Sequence, residues 1–293
     1  MRLIEGMFFI KSADERYEFA ATRFNYGRLL GTLLESLAMA RTNFLELPDC
    51  KPMPILYEDR TALAIDKPRG WMLVPDTWQR TARNLQAAIT SSIIGGDFWA
   101  RCRGLKFLRY VHRLDADTSG VLLFAKSAGG VESLGDLFEG RRMEKTYLAV
   151  VTGAPRENEW SSQLKIAPNP RRIGHMIVDE LNGKPAETHF KVLDKNAKFT
   201  LVEARPVTGR THQIRVHLAE AGLAIVGDEI YGRYDEHYEL ALRSIRMAYA
   251  DPFTKKRVEI NAATEWFLKE YSFGFFNKKA GGKRMPPATP DAK

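Results

Sequence analysis

The stretch Val111–Lys126, VHRLDADTSGVLLFAK, concentrates side chains able to do chemistry. His112, Arg113, Asp115 and Asp117 form a polar head, followed by a Thr118-Ser119-Gly120 turn and the apolar run Val121–Ala125. The two carboxylates differ in their surroundings. Asp117 precedes Thr-Ser-Gly, where Asp commonly caps a turn by accepting from backbone N–H groups. Asp115 follows Leu114 and lies within two residues of Arg113. If semi-buried, it needs a cation or donors to stay ionised. Residue type and spacing fit a structural ion pair as well as a catalytic carboxylate.

A second chemical stretch runs over Thr200–Gly222. A strand ends at Pro206, Thr208-Gly209 turns the chain, and the spacing predicts a helix from about Thr211 to a Gly222 stop. Arg210 and the helix start offer cations and free N–H groups to a phosphate or carboxylate. His212 and Arg215 lie one turn apart on one face, while Ile214, Leu218 and Ala221 face the core. His212 and His217 are five apart, which is not a shared-face metal pair.

The elements that must position these groups follow from hydrophobic pattern. Val121–Ala125 reads as a buried strand with Gly120 supplying the turn, so the polar head is a loop pinned to a core strand. Strands are expected at Pro54–Glu58, Ala62–Asp66, Met143–Gly153 and Gly183–Val192, with two more across Ala248–Ala262. Helices are expected at Asn84–Ile94 and Gly130–Arg141. Residues 154–182 read as a hairpin or mobile loop, most basic at APNPRRIGHM. Residues 98–110 interleave Arg101, Arg103, Lys106 and Arg109 with aromatics, a pattern shared by RNA-binding surfaces and ordinary solvated faces. Leu30, Leu33, Leu34 and Leu37 give residues 1–49 the look of a helical extension, and the prolines of Leu47–Pro54 read as a linker. Residues 50–276 then form the main domain, and 277–293 a basic tail too polar to fold.

The chain of 293 residues carries a net charge of +8, which points to a polyanionic partner. Cys50 and Cys102 make neither a disulfide framework nor a zinc-ligand pattern, which fits a reducing cytoplasm. There is no Gly-rich phosphate loop and no apolar stretch of roughly 20 residues to span a bilayer. The N-terminus lacks the pattern of a signal peptide.

HRLDADTSGVLLFAK resembles the central motif of the RluA-type family of RNA pseudouridine synthases. The likeness extends from about Pro54 to Phe253: Lys67-Pro68-Arg69-Gly70 is similar to the first motif, Lys145, Tyr147 and Ala149 to a Lys-x-Tyr-x-Ala strand, and Gln213-Ile214-Arg215 with Val226–Gly232 to the third. The resemblance implies an α+β fold, a mixed and mostly antiparallel sheet with flanking helices around a basic cleft. It implies Asp115 as nucleophile, Arg215 as its ion-pair partner, and Tyr147 as the ring that packs on the target uracil. Arg113, His112, Lys67, Arg210, His212 and Lys145 would contact RNA, ribosomal or transfer. No cofactor or metal is expected, because the isomerisation exchanges no electrons or phosphate. A cytoplasmic monomer is expected, and the small RNA-binding S4 module of some members is not apparent. Leu242-Arg243-Ser244 departs from the family's usual Leu-His-Ala.

Two rival readings accompany this one. A catalytically silent RNA-binding protein of the same fold would share its charge, but retention of Asp115 and Arg215 argues against it. A hydrolase using Asp115 with His112 or His212 and Ser119 is disfavoured, since Ser119 lacks a Gly-x-Ser-x-Gly elbow.

Overall fold

The computed structural model describes residues 41–48, 50–73, 83–233 and 235–274. Its strands are β1 (Phe44–Leu45), β2 (Met53–Glu58), β3 (Ala62–Lys67), β4 (Arg109–Tyr110), β5 (Ser119–Ala125), β6 (Glu144–Thr152), β7 (Glu159–Ser162), β8 (Ile166–Pro168), β9 (Met176–Val178), β10 (Thr188–Lys195), β11 (Phe199–Pro206), β12 (Leu242–Ala250) and β13 (Arg257–Asn261). The helices are α1 (Leu85–Gly95), α2 (Phe98–Arg101), α3 (Ala128–Glu139), α4 (Gln213–Glu220) and α5 (Glu265–Glu270). One mixed sheet runs β1-β2-β3-β5-β12-β6-β11-β10-β7, with β4 added to β5 and β13 to β12, and β8 and β9 form a separate hairpin. The β5–β12 pairing is parallel, whereas its neighbours β3–β5 and β12–β6 are antiparallel.

Strand β5 is buried at every position. Leu122 and Phe124 enter one core, and Val121, Leu123 and Ala125 enter the other. Burial on both faces is why this strand is continuously apolar instead of alternating. Helix α3 closes the second face through Leu134 and Leu137, and starts where the Ser127 side chain accepts from Gly130 N–H. Helix α1 is capped by Asn84 and stops at Gly96, whose φ of 72° suits glycine. Gly120 has a φ of 111° and faces Ser244 across the parallel register. A side chain at Gly120 would run into the Ser244 backbone, so glycine lets β12 close against β5 just where the polar loop ends.

Two expectations change, and the hairpin expected after β6 is found. Leu47–Pro54 is not a free linker: β1 pairs with β2, and Leu45, Leu47 and Met53 are buried because they cover the core beside β2. The basic-aromatic stretch 98–110 is partly internal. Trp99 is buried, and the Arg103 side chain donates to Glu58 and to the carbonyls of Trp99 and Thr42, while Arg101, Lys106 and Arg109 stay exposed. The segment after β6 holds β7 and the β8–β9 hairpin, with 169–175 as its basic turn. The expected helix at Gly27–Arg41 falls, except for Arg41, outside the described residues, as does the tail 277–293.

The departure at Leu242-Arg243-Ser244 has a structural cause. Arg243 is 0% exposed, and its Nη1 and Nη2 donate to the Asp66 carboxylate at 2.9 and 2.6 Å. Its Nε donates to the Ala263 carbonyl at 2.9 Å, and its guanidinium lies 4.6 Å from the Trp266 ring centre. One side chain thus ties β12 to β3 and α5. Arg243→Met, which strands the Asp66 charge, is expected to lower stability by about 3–5 kcal/mol, and adding Asp66→Asn should recover part of the loss. Urea unfolding of the single and double variants checks this; additive losses would contradict it.

Candidate active site

The polar loop lies between β4 and β5 and is held from both sides. At one end, His112 Nε2 accepts from the Leu123 backbone N–H at 3.0 Å, and its ring stacks on Phe138 at 4.8 Å. Burial pushes the His112 imidazole down to about 3, so it is a neutral acceptor at physiological pH. At the other end, the Ala116 carbonyl accepts from Gly70 N–H at 2.9 Å and from Lys67 Nζ at 2.7 Å. Leu114 anchors the middle in the core. Between these anchors the Asp115 side chain, 16% exposed, reaches a cleft of about 360 Å³.

Across the cleft stand α4 and the turn before it. Gln213 builds that turn: its Oε1 accepts from Thr208 Oγ1 and Arg210 N–H, and its Nε2 donates to Glu187 O and Thr188 Oγ1. The next turn of α4 projects Arg215. The expected ion pair with Asp115 is present, but the two shortest bonds of Arg215 go to another carboxylate. Nε and Nη2 donate to Asp228 Oδ2 and Oδ1 at 2.8 and 2.7 Å, and Nη1 lies 3.5 Å from Asp115 Oδ2. The reason is burial: Asp228 is 1% exposed and would otherwise be an unpaired internal charge. Burial opposes the charged form of both partners, yet their contact outweighs it, holding Arg215 above and Asp228 below their ordinary values. Asp228 also accepts from the backbone N–H groups of Ile230 and Tyr231. Gly227, at a φ of 69°, allows this turn, since a side chain there would strike the Glu239 backbone.

His212 is not a helical residue. It precedes α4 with a φ of 54°, its Nδ1 is 2.8 Å from Tyr231 Oη, and its Nε2 is 3.9 Å from Asp115 Oδ2. The rest of the lining mixes Arg113, Arg141, Lys145 and Arg210 with Tyr147, Phe138, Ile214 and Leu242. Tyr147, on β6, is buried, which pushes its phenol up to about 12. Lys145 donates to the Thr208 carbonyl at 3.0 Å, and burial brings its ammonium down to about 8. Arg113 is exposed at the mouth, and Arg210 donates to the Pro185 carbonyl at 3.1 Å. Among the described residues, no group of three or more His, Cys, Asp or Glu side chains could hold a metal ion.

The cleft therefore gathers Asp115, Arg215, Tyr147, Arg113, His112, Arg210, His212 and Lys145. Lys67 is the exception. It is 0% exposed, with its ammonium spent on the carbonyls of Pro68 and Ala116, so it pins the loop instead of meeting phosphate. Asp117 is exposed and makes no capping bond among the described residues; its charge acts on Lys67. Sequence reasoning gave no role to Asp228, Tyr231 or Arg141. The signal for the first was the Gly227-Asp228 pair in a matched motif; Arg141 carried none beyond its charge.

Burial lowers the Lys67 ammonium from 10.5 to about 7, against the fields of Asp117 and Asp115. Between those two values the unfolded chain binds a proton that the folded chain does not, so stability must rise with pH across this window. Lys67→Met leaves Ala116 bonded to Gly70 and is expected to flatten that rise. Urea midpoints of both proteins at several pH values between 7 and 10 check it; equal slopes would refute the assignment.

The sequence of residues 62–220 matches the family model described as RNA pseudouridylate synthase. A ribosomal large subunit pseudouridine synthase C from Vibrio cholerae serotype O1 is 34% identical over 236 residues, covering 77% of this chain and 69% of that protein. The protein of the same name from Escherichia coli (strain K12) is 37% identical over 226 residues, covering 73% and 67%. The matched region thus spans about two thirds of these relatives. Among solved structures, human RNA pseudouridylate synthase domain containing 1 shares the fold with a TM-score of 0.60 at 24% identity, covering 77% of this chain and 89% of that one. Human RNA pseudouridylate synthase domain containing 4 does so with a TM-score of 0.61 at 19% identity, covering 85% and 100%. A mixed, mostly antiparallel sheet was expected, and this chain belongs to the RluA-type family of RNA pseudouridine synthases, enzymes that isomerise uridine within RNA.

Proposed function

We propose that this chain converts uridine to pseudouridine in ribosomal RNA, with Asp115 as the nucleophile. The observation that carries the reading is the position of Asp115: a half-buried carboxylate in a cation-lined cleft, facing an arginine that another carboxylate holds in place. The choice of ribosomal RNA rests on the printed names of the relatives.

The reaction breaks N1–C1′, turns the detached uracil and joins C5 to C1′. N1 gains a proton and C5 loses one, so the balance closes without an oxidant or co-substrate. The target base must leave its stack to reach a cleft of this depth. Arg113 and Arg210 hold backbone phosphates at the mouth, and Arg113 fills the space the base leaves. Tyr147 stacks on the uracil while its phenol stays protonated at any working pH. Asp115 acts on the sugar or the base, and Arg215 Nη1 steadies its carboxylate without enclosing it. Lys145, from β6, and His212, just ahead of α4, line the cleft that the uracil enters.

Asp115→Asn preserves shape and removes the nucleophile. It should bind RNA as the wild type does and yield no detectable pseudouridine in ribosomal RNA from a strain lacking the gene. Asp117→Asn should retain most of the activity, because Asp117 is exposed and outside the cleft lining. Product quantified after equal reaction times checks both. An active Asp115→Asn beside a dead Asp117→Asn would transfer the role to the other carboxylate.

Asp228 touches no substrate and serves by aiming Arg215. Asp228→Asn replaces a charged acceptor of two bonds, each type being worth roughly 1.5–3 kcal/mol, so kcat should fall roughly 10- to 100-fold. RNA affinity should not change. Single-turnover rates at saturating enzyme, beside filter-binding titrations, separate the two; a loss confined to binding would sink this role.

A further inference from the structure

His212 occupies a left-handed backbone conformation that non-glycine residues adopt only when their surroundings enforce it. The His212 side chain is held by Tyr231. Its Oη lies 2.8 Å from His212 Nδ1 and accepts the Met176 backbone N–H, also at 2.8 Å, from strand β9. The two rings meet edge to face at 5.6 Å. The same Tyr231 ring lies under the Arg215 guanidinium at 5.2 Å. Its backbone N–H, in turn, donates to Asp228 at 3.1 Å. One side chain therefore touches both groups that face Asp115, and it is fixed by the carboxylate that fixes Arg215.

We propose that Tyr231 is a positioning residue for pseudouridine formation: its hydroxyl holds His212 as the Nε2–H tautomer, with that proton directed at Asp115. The proposal rests on the reading of Asp115 as the reacting carboxylate. Its logic is a proton count. Tyr231 Oη already accepts from Met176, so its own proton is free for His212 Nδ1. The ring proton then sits on Nε2, the nitrogen 3.9 Å from Asp115 Oδ2. A separation of that size closes to a hydrogen bond when a base fills the cleft, since catalytic contacts are commonly long in the free enzyme. A neutral donor orients the carboxylate and leaves it able to react. An imidazolium in the same place would bind Asp115 as an ion pair and compete with the substrate. The charged groups facing His212 are Asp115 and Asp228 on one side of the balance and Arg215 and Arg113 on the other; the net result, dominated by burial, favours the neutral ring. From the β8–β9 hairpin, His175 packs against Tyr231 at 6.4 Å.

Tyr231→Phe keeps the ring, its stacking and its place under Arg215, and removes only the hydroxyl. The expected result is a kcat roughly tenfold lower, the net worth of about one hydrogen bond, with KM unchanged. The acid limb of the kcat profile should move to higher pH, because His212 loses the donor that favours its neutral form. Nitrogen-15 NMR of the wild-type imidazole, assigned by its loss in His212→Gln, should show Nδ1 bare and Nε2 protonated. His212→Gln, whose amide can donate from the Nε2 position, should retain more activity than His212→Ala. A protonated Nδ1 in the wild type would overturn the proposal, and so would a Tyr231→Phe enzyme whose kcat and pH limb match the wild type. A Tyr231→Phe loss seen only in thermal stability or KM would do the same. Wild-type turnover on the same RNA tests the parent reading separately, and the tautomer measurement does not depend on it.

Discussion

The bidentate pair between Arg215 and Asp228 is the contact on which the site depends. A guanidinium has a rigid fork of donors, and spending two of them on a fixed carboxylate leaves the third direction determined. Here that direction is Nη1 toward Asp115, at 3.5 Å. Had Arg215 gripped Asp115 with the same two bonds, the lone pairs that the proposed attack needs would be occupied and the carboxylate held by a buried partner. A loose contact to a firmly held cation gives orientation without that cost. Both partners pair their charge internally, so the arrangement does not require the substrate to be present.

The loop that carries Asp115 is fixed by the same economy of buried polar groups. His112 and Lys67 are ionisable residues that would be expensive to bury charged. Each is depressed by burial and each bonds backbone: His112 accepts from β5, and Lys67 donates to the loop carbonyl of Ala116. Two residues that look like phosphate ligands in the sequence thus act as fasteners between the loop and the sheet, within a frame whose central strand is buried on both faces. The Arg243–Asp66 clamp extends that frame toward α5. The loop that carries Asp115 is short and irregular, yet it is bonded to core strands at both ends.

How much of this was legible in the sequence follows from how local each feature is. Strand β5 and helices α1 and α3 were readable because their hydrophobic pattern lies within one element. Asp115 and Arg215 were readable as motif positions. The partner of Arg215 was not, because Asp228 follows 13 residues later and the choice between two carboxylates is made by burial, a tertiary quantity. For the same reason Lys67 was misread: a lysine before Pro-Arg-Gly has the sequence of a surface turn, and only the closure of β3 on β5 encloses it. Leu45 and Leu47 were lost among prolines, since two residues of strand give no period to detect. His212 was placed on a helix by spacing; its left-handed backbone puts it ahead of the helix, and its side-chain partner Tyr231 lies 19 residues away.

The cleft that results has a distinctive electrostatic character. Four of the ionisable groups lining the cleft are pushed toward neutrality: His112 far down, His212 down, Tyr147 up to about 12 and Lys145 to about 8. Arg215 and Asp228 cancel each other, while Lys145 and Arg210 remain in the wall and Arg113 and Arg141 form an exposed rim of cations beside Glu139. An isomerisation suits such a place. Its substrate and product carry the same charge, so no compensating ion has to enter or leave with each turnover. What the site must stabilise is the transient separation of sugar and uracil, and fixed dipoles in a water-poor cleft do this without rearranging. In the proposed reaction the cations at the rim act earlier, on the phosphates that bring the nucleotide in. On the proposed reading, charge at the mouth serves capture, and the depressed His112 and His212 with the protonated Tyr147 deeper in the cleft serve the chemistry.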